Sequence, residues 1–242
     1  DPMKHQSIIK HILEVRFQPV PSILDKKGAI TESLLNDVFD TWVVNPTRID
    51  ILSTTNKNIT SFVTYSNYGL VSETPNSSDL FLEKAQELIK KLWIITPSSR
   101  ILRFGLRTYQ IFPEKRNMDT LVKIYKSKFL SIPEKTLSAF KADLVDVGIA
   151  LNFTDNSNEK YNVQFNMNTG AMLKDQALQF FSNASLLPDV GLFSDTDFFI
   201  ENQQQLSNFK QKDFLELVTQ GIEREKSVQN IVTEFINSKN DK

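Results

Sequence analysis

No cysteine occurs in the 242 residues. That absence removes disulfides, thiolate nucleophiles, zinc–thiolate sites and iron–sulfur clusters together. It suits a reducing compartment, and a cytoplasmic location is the expectation. Glycine is nearly as scarce, at 7 residues, and neither G-x-G-x-x-G nor a Walker-type run is present. Histidine is limited to His5 and His11. A Ser-His-Asp mechanism would need one of them, and no nucleophile-elbow sequence accompanies either. Excess charge is missing too. The 28 Lys and Arg nearly balance 29 Asp and Glu, so no global field steers the chain toward nucleic acid or an anionic membrane. No apolar run approaches the ~18 residues of a bilayer span. The run Leu92-Trp93-Ile94-Ile95 stops short of Pro97. Lys4, His5, Lys10 and His11 interrupt any signal-peptide pattern. Asp1-Pro2 ahead of Met3 reads as a tag remnant, with Met3 as the expected natural start.

What is there is apolar material for a core. Hydrophobic residues make up 40%, and 18 of them are Phe, a ring without a polar handle. Period-two alternation places a strand over 8–18, with His11, Leu13, Val15 and Phe17 on one face and Ile12, Glu14, Arg16 and Gln18 on the other. Pro19 and Pro21 end it. A helix is expected from Thr31, with Ile30 stapled on Leu35 and with Leu34, Leu35, Val38, Phe39 and Trp42 at helical spacing; Asn45-Pro46 stops it. Three strands follow at 48–54, 59–65 and 69–73, turning at Lys57-Asn58 and Asn67-Tyr68-Gly69. A second helix covers 79–93, carrying Phe81, Ala85, Leu88 and Leu92, and closes at Pro97.

The pattern then restarts. A strand is expected over 100–112 before Pro113, and Asn117 caps a helix bearing Leu121, Val122, Ile124, Tyr125 and Phe129. Strands follow at 144–154 and 160–167 around the turn Asp155-Asn156-Ser157-Asn158. Another covers 190–201, bulged near Asp195. A terminal helix spans 212–237, and polar Gln220–Lys226 with Gly221 marks a kink or a departure from the body. Residues 170–187 have no counterpart in the first half. They read either as a short helix on Met172, Leu173, Ala177, Phe180 and Phe181 or as a strand continuing past Gly170. The fold class is therefore α+β, in two pseudo-repeated halves, each strand–helix–three antiparallel strands–helix, with helices packed on sheet. The halves are 3–97 and 98–242, as two units or as one compact one.

Five residues are candidates for a binding site. Arg103 and Arg107 share a strand face with Ile101, Gly105 and Tyr109, and such arginines hold phosphate or carboxylate. Glu14 and Arg16 occupy the comparable place on the first strand. The plainer alternative is an internal ion-pair set, Glu14 with Arg103 or Arg107. Asp195, Asp197 and Glu201 share a face near Asp189. Asp195 and Asp197 are weak metal candidates, against a solvated strand face. His11 reads as a hydrogen-bonded or partly buried side chain. Lys84, Lys90 and Lys91, and Lys115, Arg116, Lys123, Lys126 and Lys128, form modest basic clusters. Tyr109 and Tyr125 could interleave there for nucleic acid, against plain solvated helix faces.

The run Ile8–Pro19 resembles the opening of a sporadically distributed family of uncharacterised bacterial proteins, an "EV-x-F-E-x-R-F" strand followed by proline. Arg103–Gln110 is similar to that family's "R-x-G-L-R-Y-x-N" strand. It departs at Thr108 and Gln110, and the terminal helix lacks the family's usual histidine. The resemblance implies a bacterial origin and no particular activity. The order of elements is also similar to the ligand-binding fold of effector-binding regulators and some haem-binding proteins. The leading expectation is a non-catalytic binding or interaction protein, an accessory or defence-type component acting through a cleft or surface between its halves. Alternatives are a small-molecule regulator with an Arg- and Phe-lined cleft, a carboxylate-dependent metal enzyme and a nucleic-acid accessory protein. Expected partners are a protein or a second copy, with a small anionic ligand or nucleic acid as further options. No cofactor and no membrane partner are expected.

Overall fold

The computed structural model describes residues 6–75, 77–96, 98–155 and 162–238. His5, Pro97 and Asn156–Asn158, all used above, lie outside the described residues. The frame is one nine-stranded sheet in which every neighbouring pair is antiparallel. At its centre β1 (Ile8–Phe17) lies beside β6 (Ile101–Pro113). Outward from β1 run β5 (Asn67–Pro75), β4 (Ile59–Thr64), β3 (Arg48–Leu52) and the edge strand β2 (Thr41–Val44). Outward from β6 run β9 (Val190–Ile200), β8 (Val163–Leu173) and the edge strand β7 (Gly148–Asp155). In each half, then, the last strand returns to lie beside the first. The halves are not equal element for element: the first supplies five strands and the second four.

Helices cover one face. On it lie α3 (Asp79–Leu92), against β5, and α8 (Gln211–Asn237), against β6, β9 and α3; α4 (Met118–Phe129) packs on β8. Alternation on β1 dictates the result: Leu13, Val15 and Phe17 are fully buried toward the helices. They meet Leu70, Phe104 and Leu106 from the neighbouring strands, and Phe81, Ala85, Phe214 and Leu217 from α3 and α8, in one continuous core. Full burial of each large apolar side chain stabilises by roughly 1.5–3 kcal/mol. Asn117 caps α4, its side chain accepting the Thr120 N–H at 2.9 Å.

Several expectations are corrected. The helix expected from Thr31 instead ends near there: α1 (Ser22–Asp25) and α2 (Lys27–Leu34) precede it, and Leu35 is extended. Asn36 Oδ1 accepts the N–H groups of Val38 and Phe39, both at 2.8 Å, a local turn that competes with helix. Trp42 therefore sits on β2, and the first half has four strands after its opening one. Asn67–Gly69 belong to β5 rather than to a turn. The β6–β9 register runs in step from Phe104↔Ile200 to Pro113↔Gly191, without a bulge at Asp195. The chain past Gly170 stays in β8 as far as Leu173, then makes the four-residue α6 (Lys174–Ala177). Helical structure in α8 is unbroken at Gly221. A Cβ there would stand 2.6 Å from Leu106 Cδ2 and 3.2 Å from Phe198, so this glycine lets the helix approach the sheet closely. Two further short helices lie outside the expected elements, α5 (Glu134–Ser138) and α7 (Gln203–Ser207), the latter capped by Asn202.

Candidate functional site

Residues on the sheet face away from the helices follow from the register. Lys10, Ile12, Glu14 and Arg16 on β1 stand beside Tyr109, Arg107, Gly105 and Arg103 on β6. Beyond them, β9 presents Asp195, Asp197 and Phe199, with Glu201 just past its end, and β8 presents Gln164, Asn166 and Asn168. All five candidate binding residues, and both candidate metal ligands, are thus brought onto one face at the junction of the halves.

Their side chains form a connected ladder. Arg107 donates from Nε and Nη2 to the two oxygens of Asp195 at 2.9 and 2.8 Å, and its guanidinium lies 4.9 Å over the Tyr109 ring. Asn168 donates to Asp195 at 3.2 Å. Arg103 donates to Asp197 at 2.8 Å and also to Glu201, stacking 4.3 Å over Phe199. Gly105 makes room for it, since a Cβ there would stand 3.1 Å from Arg103 Nε. Arg16 donates to Glu14 at 2.9 Å, and Asn67 donates to the other Glu14 oxygen at 2.8 Å. The internal ion-pair alternative therefore describes the geometry, with different partners. Glu14 pairs within β1, and Arg103 and Arg107 reach the carboxylates of β9.

These contacts tune the titrating groups. Burial pushes the Glu14 carboxyl up, but the Arg16 and Asn67 hydrogen bonds outweigh it and hold the group below its ordinary value. At Asp197 burial prevails over Arg103 and raises the carboxyl. The Asp195 hydrogen bonds raise Arg107 further, and burial raises the Tyr109 hydroxyl. Asp195 and Asp197 direct their oxygens to arginines. Among the described residues no group of three or more His, Asp or Glu is placed to hold a metal ion.

One end of the face is covered. The segment 174–188 folds back over it, seating Ala177, Phe181 and Leu187 on Ile8, Ile111 and Phe193. Glu73 fastens this strap by accepting the N–H groups of Ser182 and Asn183, and Lys10 donates to the Phe180 carbonyl at 2.7 Å. The rest stays open: Arg16 is 55% and Arg107 46% exposed.

Five of the eight basic-cluster residues have structural partners. Lys84, 6% exposed, faces Glu83, Glu87 and Asp37. Lys91 pairs with Glu87, Lys126 with Glu134 and Arg116 with Glu114, while Lys128 donates to carbonyls at the end of α8. Tyr125 is buried, its hydroxyl 2.8 Å from Thr169, and burial pushes that hydroxyl up to about 12. It presents no ring to a nucleobase.

His11 is fully buried on the helix side. Its Nε2 lies 3.1 Å from Glu225 Oε2 and 3.3 Å from Ser78 Oγ, and its ring stacks on Phe81 at 4.7 Å. Serine and carboxylate meet the same nitrogen. In a nucleophile–base–acid relay they would meet opposite ones. Sequence reasoning missed Ser78 and Glu225 here, because 67 and 214 residues separate them from His11. A polar stretch in the middle of α8 was the only local signal. A scan against protein-family models gives no match to this chain, and a search of curated proteins gives none either.

Proposed function

We propose that the chain is a non-catalytic interaction protein that docks a protein partner on the open face of its sheet at the β1–β6 junction. The observation carrying this reading is the ion-paired ladder on an uncovered face. Buried sheet faces are apolar, and an uncovered one needs only scattered polar groups. Here instead six charged or aromatic-stacked pairs, and Asn168 on Asp195, hold their side chains in defined geometry. Such preorganisation lowers the entropy cost of association. Six strands from β4 to β8, at ~4.8 Å spacing, span about 25 Å, on the scale of a standard interface of ~800 Å² per partner. Because each arginine already has a carboxylate, a free anion would have to displace it, at Arg107 a partner held by both oxygens. A surface offering alternating charges and amides suits a protein better. An accessory or defence-type role in a bacterial system is the setting the family resemblance favours, and the absence of cysteine suits the cytoplasm.

The test is capture from an extract of the source cell. Arg16→Glu and Gln164→Lys change exposed positions on the face, and Glu216→Lys changes the helix side. Loss of a captured protein in the first two and its retention in the third is the expected result. Identical capture by all three, or none by the wild type, overturns the reading.

A further inference from the structure

The sheet ends in two unlike edges. β2 is four residues long and runs straight into Asn45-Pro46, and a short strand closed by proline is poorly suited to pair further. β7 is eight residues long, and its pairing with β8 runs in step from Gly148↔Gly170 to Asp155↔Val163 without a bulge. From Gly148 to Thr154 it holds no charge and no proline. It therefore lacks the devices that keep an edge strand from adding a neighbour. No described strand lies on its outer side, and Gly148 and Ala150–Thr154 are all exposed. Half of the backbone N–H and C=O groups of such a strand point away from its one neighbour.

The side chains of β7 fall into two sets. Ile149, Leu151 and Phe153 stand opposite Thr169, Met167 and Phe165 of β8, on the helix side. Ile149 packs against the core, but Leu151 is 38% and Phe153 48% exposed. Ala150, Asn152 and Thr154 lie on the open face, beside Asn168, Asn166 and Gln164. An antiparallel copy of the same strand, related by a two-fold axis at Leu151, matches both sets. Leu151 then stands opposite Leu151 of the second copy, and each Ile149 stands opposite a Phe153. On the other face each Ala150 stands opposite an Asn152. A one-residue slip would set apolar against polar positions. A two-residue shift one way sets Asp155 opposite Ile149, and the other way it leaves Phe153 beyond the start of the partner strand.

We infer that β7 pairs antiparallel with β7 of a second copy, about Leu151, joining the two sheets into one. The contact is isologous and therefore closes at a dimer. Residues 148–154 of each copy pair over about 23 Å, at ~3.4 Å per residue. Exposed Leu144 and Val145, just before β7, add apolar surface at its start. A contact of this size is at the low end of specific interfaces, so the dimer is reversible. The two-fold axis stands perpendicular to the joined sheet, so the open faces of both copies look the same way. Their β6 strands lie about 34 Å apart, at ~4.8 Å per strand spacing. One dimer thus presents two arginine ladders side by side. That consequence rests on the docking reading above, whereas the dimer itself does not.

Sedimentation velocity of the full chain at about 100 µM should give a mass near twice 27.8 kDa. Leu151→Lys sets two like charges against each other and should leave a monomer, whereas Trp42→Lys on β2 should leave the dimer intact. The chain has no cysteine, so single cysteines report the register cleanly. Leu151→Cys should form a disulfide dimer under diamide, because directly opposite Cβ atoms lie about 4.5–5.5 Å apart. Thr154→Cys should not, since Thr154 stands opposite Gly148, about 20 Å from its own counterpart. A wild-type monomer at that concentration overturns the proposal, as does a dimer that survives folded Leu151→Lys or is lost in Trp42→Lys. Cross-linking through Thr154→Cys in place of Leu151→Cys overturns it too. If Leu151→Lys fails to fold, the wild-type mass and the two cysteine variants decide.

Discussion

Arg107 on β6 holds Asp195 on β9 diagonally, not directly: the residue opposite Arg107 is Asp197, and Asp195 stands opposite Tyr109. The slant lets one guanidinium bind both oxygens of Asp195 while lying over the Tyr109 ring. The pair is lopsided in burial, with Asp195 8% exposed and Arg107 46%. Removing the arginine strands a largely buried carboxylate with only Asn168. Removing the aspartate frees an arginine that can turn to water. Arg107→Ala should therefore cost about 1–3 kcal/mol and Asp195→Ala less than ~1 kcal/mol. Urea denaturation of the two variants and their double mutant reads this asymmetry; equal costs would contradict it.

Glu14 and Asp197 should make stability depend on pH in opposite senses. Glu14 has a folded pKa below its ordinary 4.5, so its contribution is present above 4.5 and is lost as pH falls through the folded value. Asp197 has a folded pKa above its ordinary 3.8. Its contribution is present below 3.8 and is lost as pH rises through the folded value, so the ionised form weighs against folding at neutrality. Glu14→Gln should destabilise at pH 7 by less than ~1 kcal/mol, since the pair is screened, and the difference should close below pH 4.5. Asp197→Asn should cost less at pH 7 than at pH 3.5. Urea midpoints between pH 3 and 7 provide the measurement, and parallel pH profiles for the two variants would contradict it.

Gly221 and Gly28 should respond to alanine with opposite signs. Both are helical, and alanine is intrinsically the better helix former by up to ~1 kcal/mol. At Gly28 on α2 a Cβ meets nothing within 4 Å, so Gly28→Ala should stabilise by about 0.5 kcal/mol. At Gly221 the Cβ would press on Leu106 and Phe198, which are already packed in the core. Overpacking of this kind costs roughly 1–3 kcal/mol, more than the propensity gain. Thermal denaturation of both single variants gives the comparison, and a rise in Tm for Gly221→Ala would mean that α8 is free to shift.

How far the sequence carries depends on whether the forces involved are local. The strands β1 and β6 and the helices α3 and α4 are legible, because each is amphipathic and ends at a proline, a cap or a turn. The stretch from Leu34 to Trp42 misleads for the same reason. Its apolar residues happen to fall at helical spacing, while the Asn36 side chain takes the N–H groups that a helix would use. The common face of Arg103, Arg107 and Tyr109 follows from alternation alone, as does that of Asp195 and Asp197. That these two sets meet does not follow. It depends on β9 lying beside β6, across 88 residues between Arg107 and Asp195. Likewise the polar middle of α8 suggests departure from the body, yet Glu225 is buried there because His11 waits on the sheet beneath it.

His11 and Glu225 should behave as a unit. Each is nearly inaccessible, at 0% and 3% side-chain exposure, and they tie β1 to α8 through a 3.1 Å contact. His11→Phe keeps a ring for the stack on Phe81 but takes a partner from a buried carboxylate, leaving it with Gln229. Breaking a buried pair in this way costs about 3–5 kcal/mol. Replacing both with apolar groups removes the stranded charge, so the His11→Phe, Glu225→Leu double variant should recover most of that loss. Glu225→Leu alone should fall between the two, because His11 Nε2 keeps Ser78 Oγ at 3.3 Å as a remaining partner. Urea denaturation of the three variants completes the cycle. Additive losses, with the double variant the least stable, would mean that the two side chains contribute through packing and not through their mutual contact.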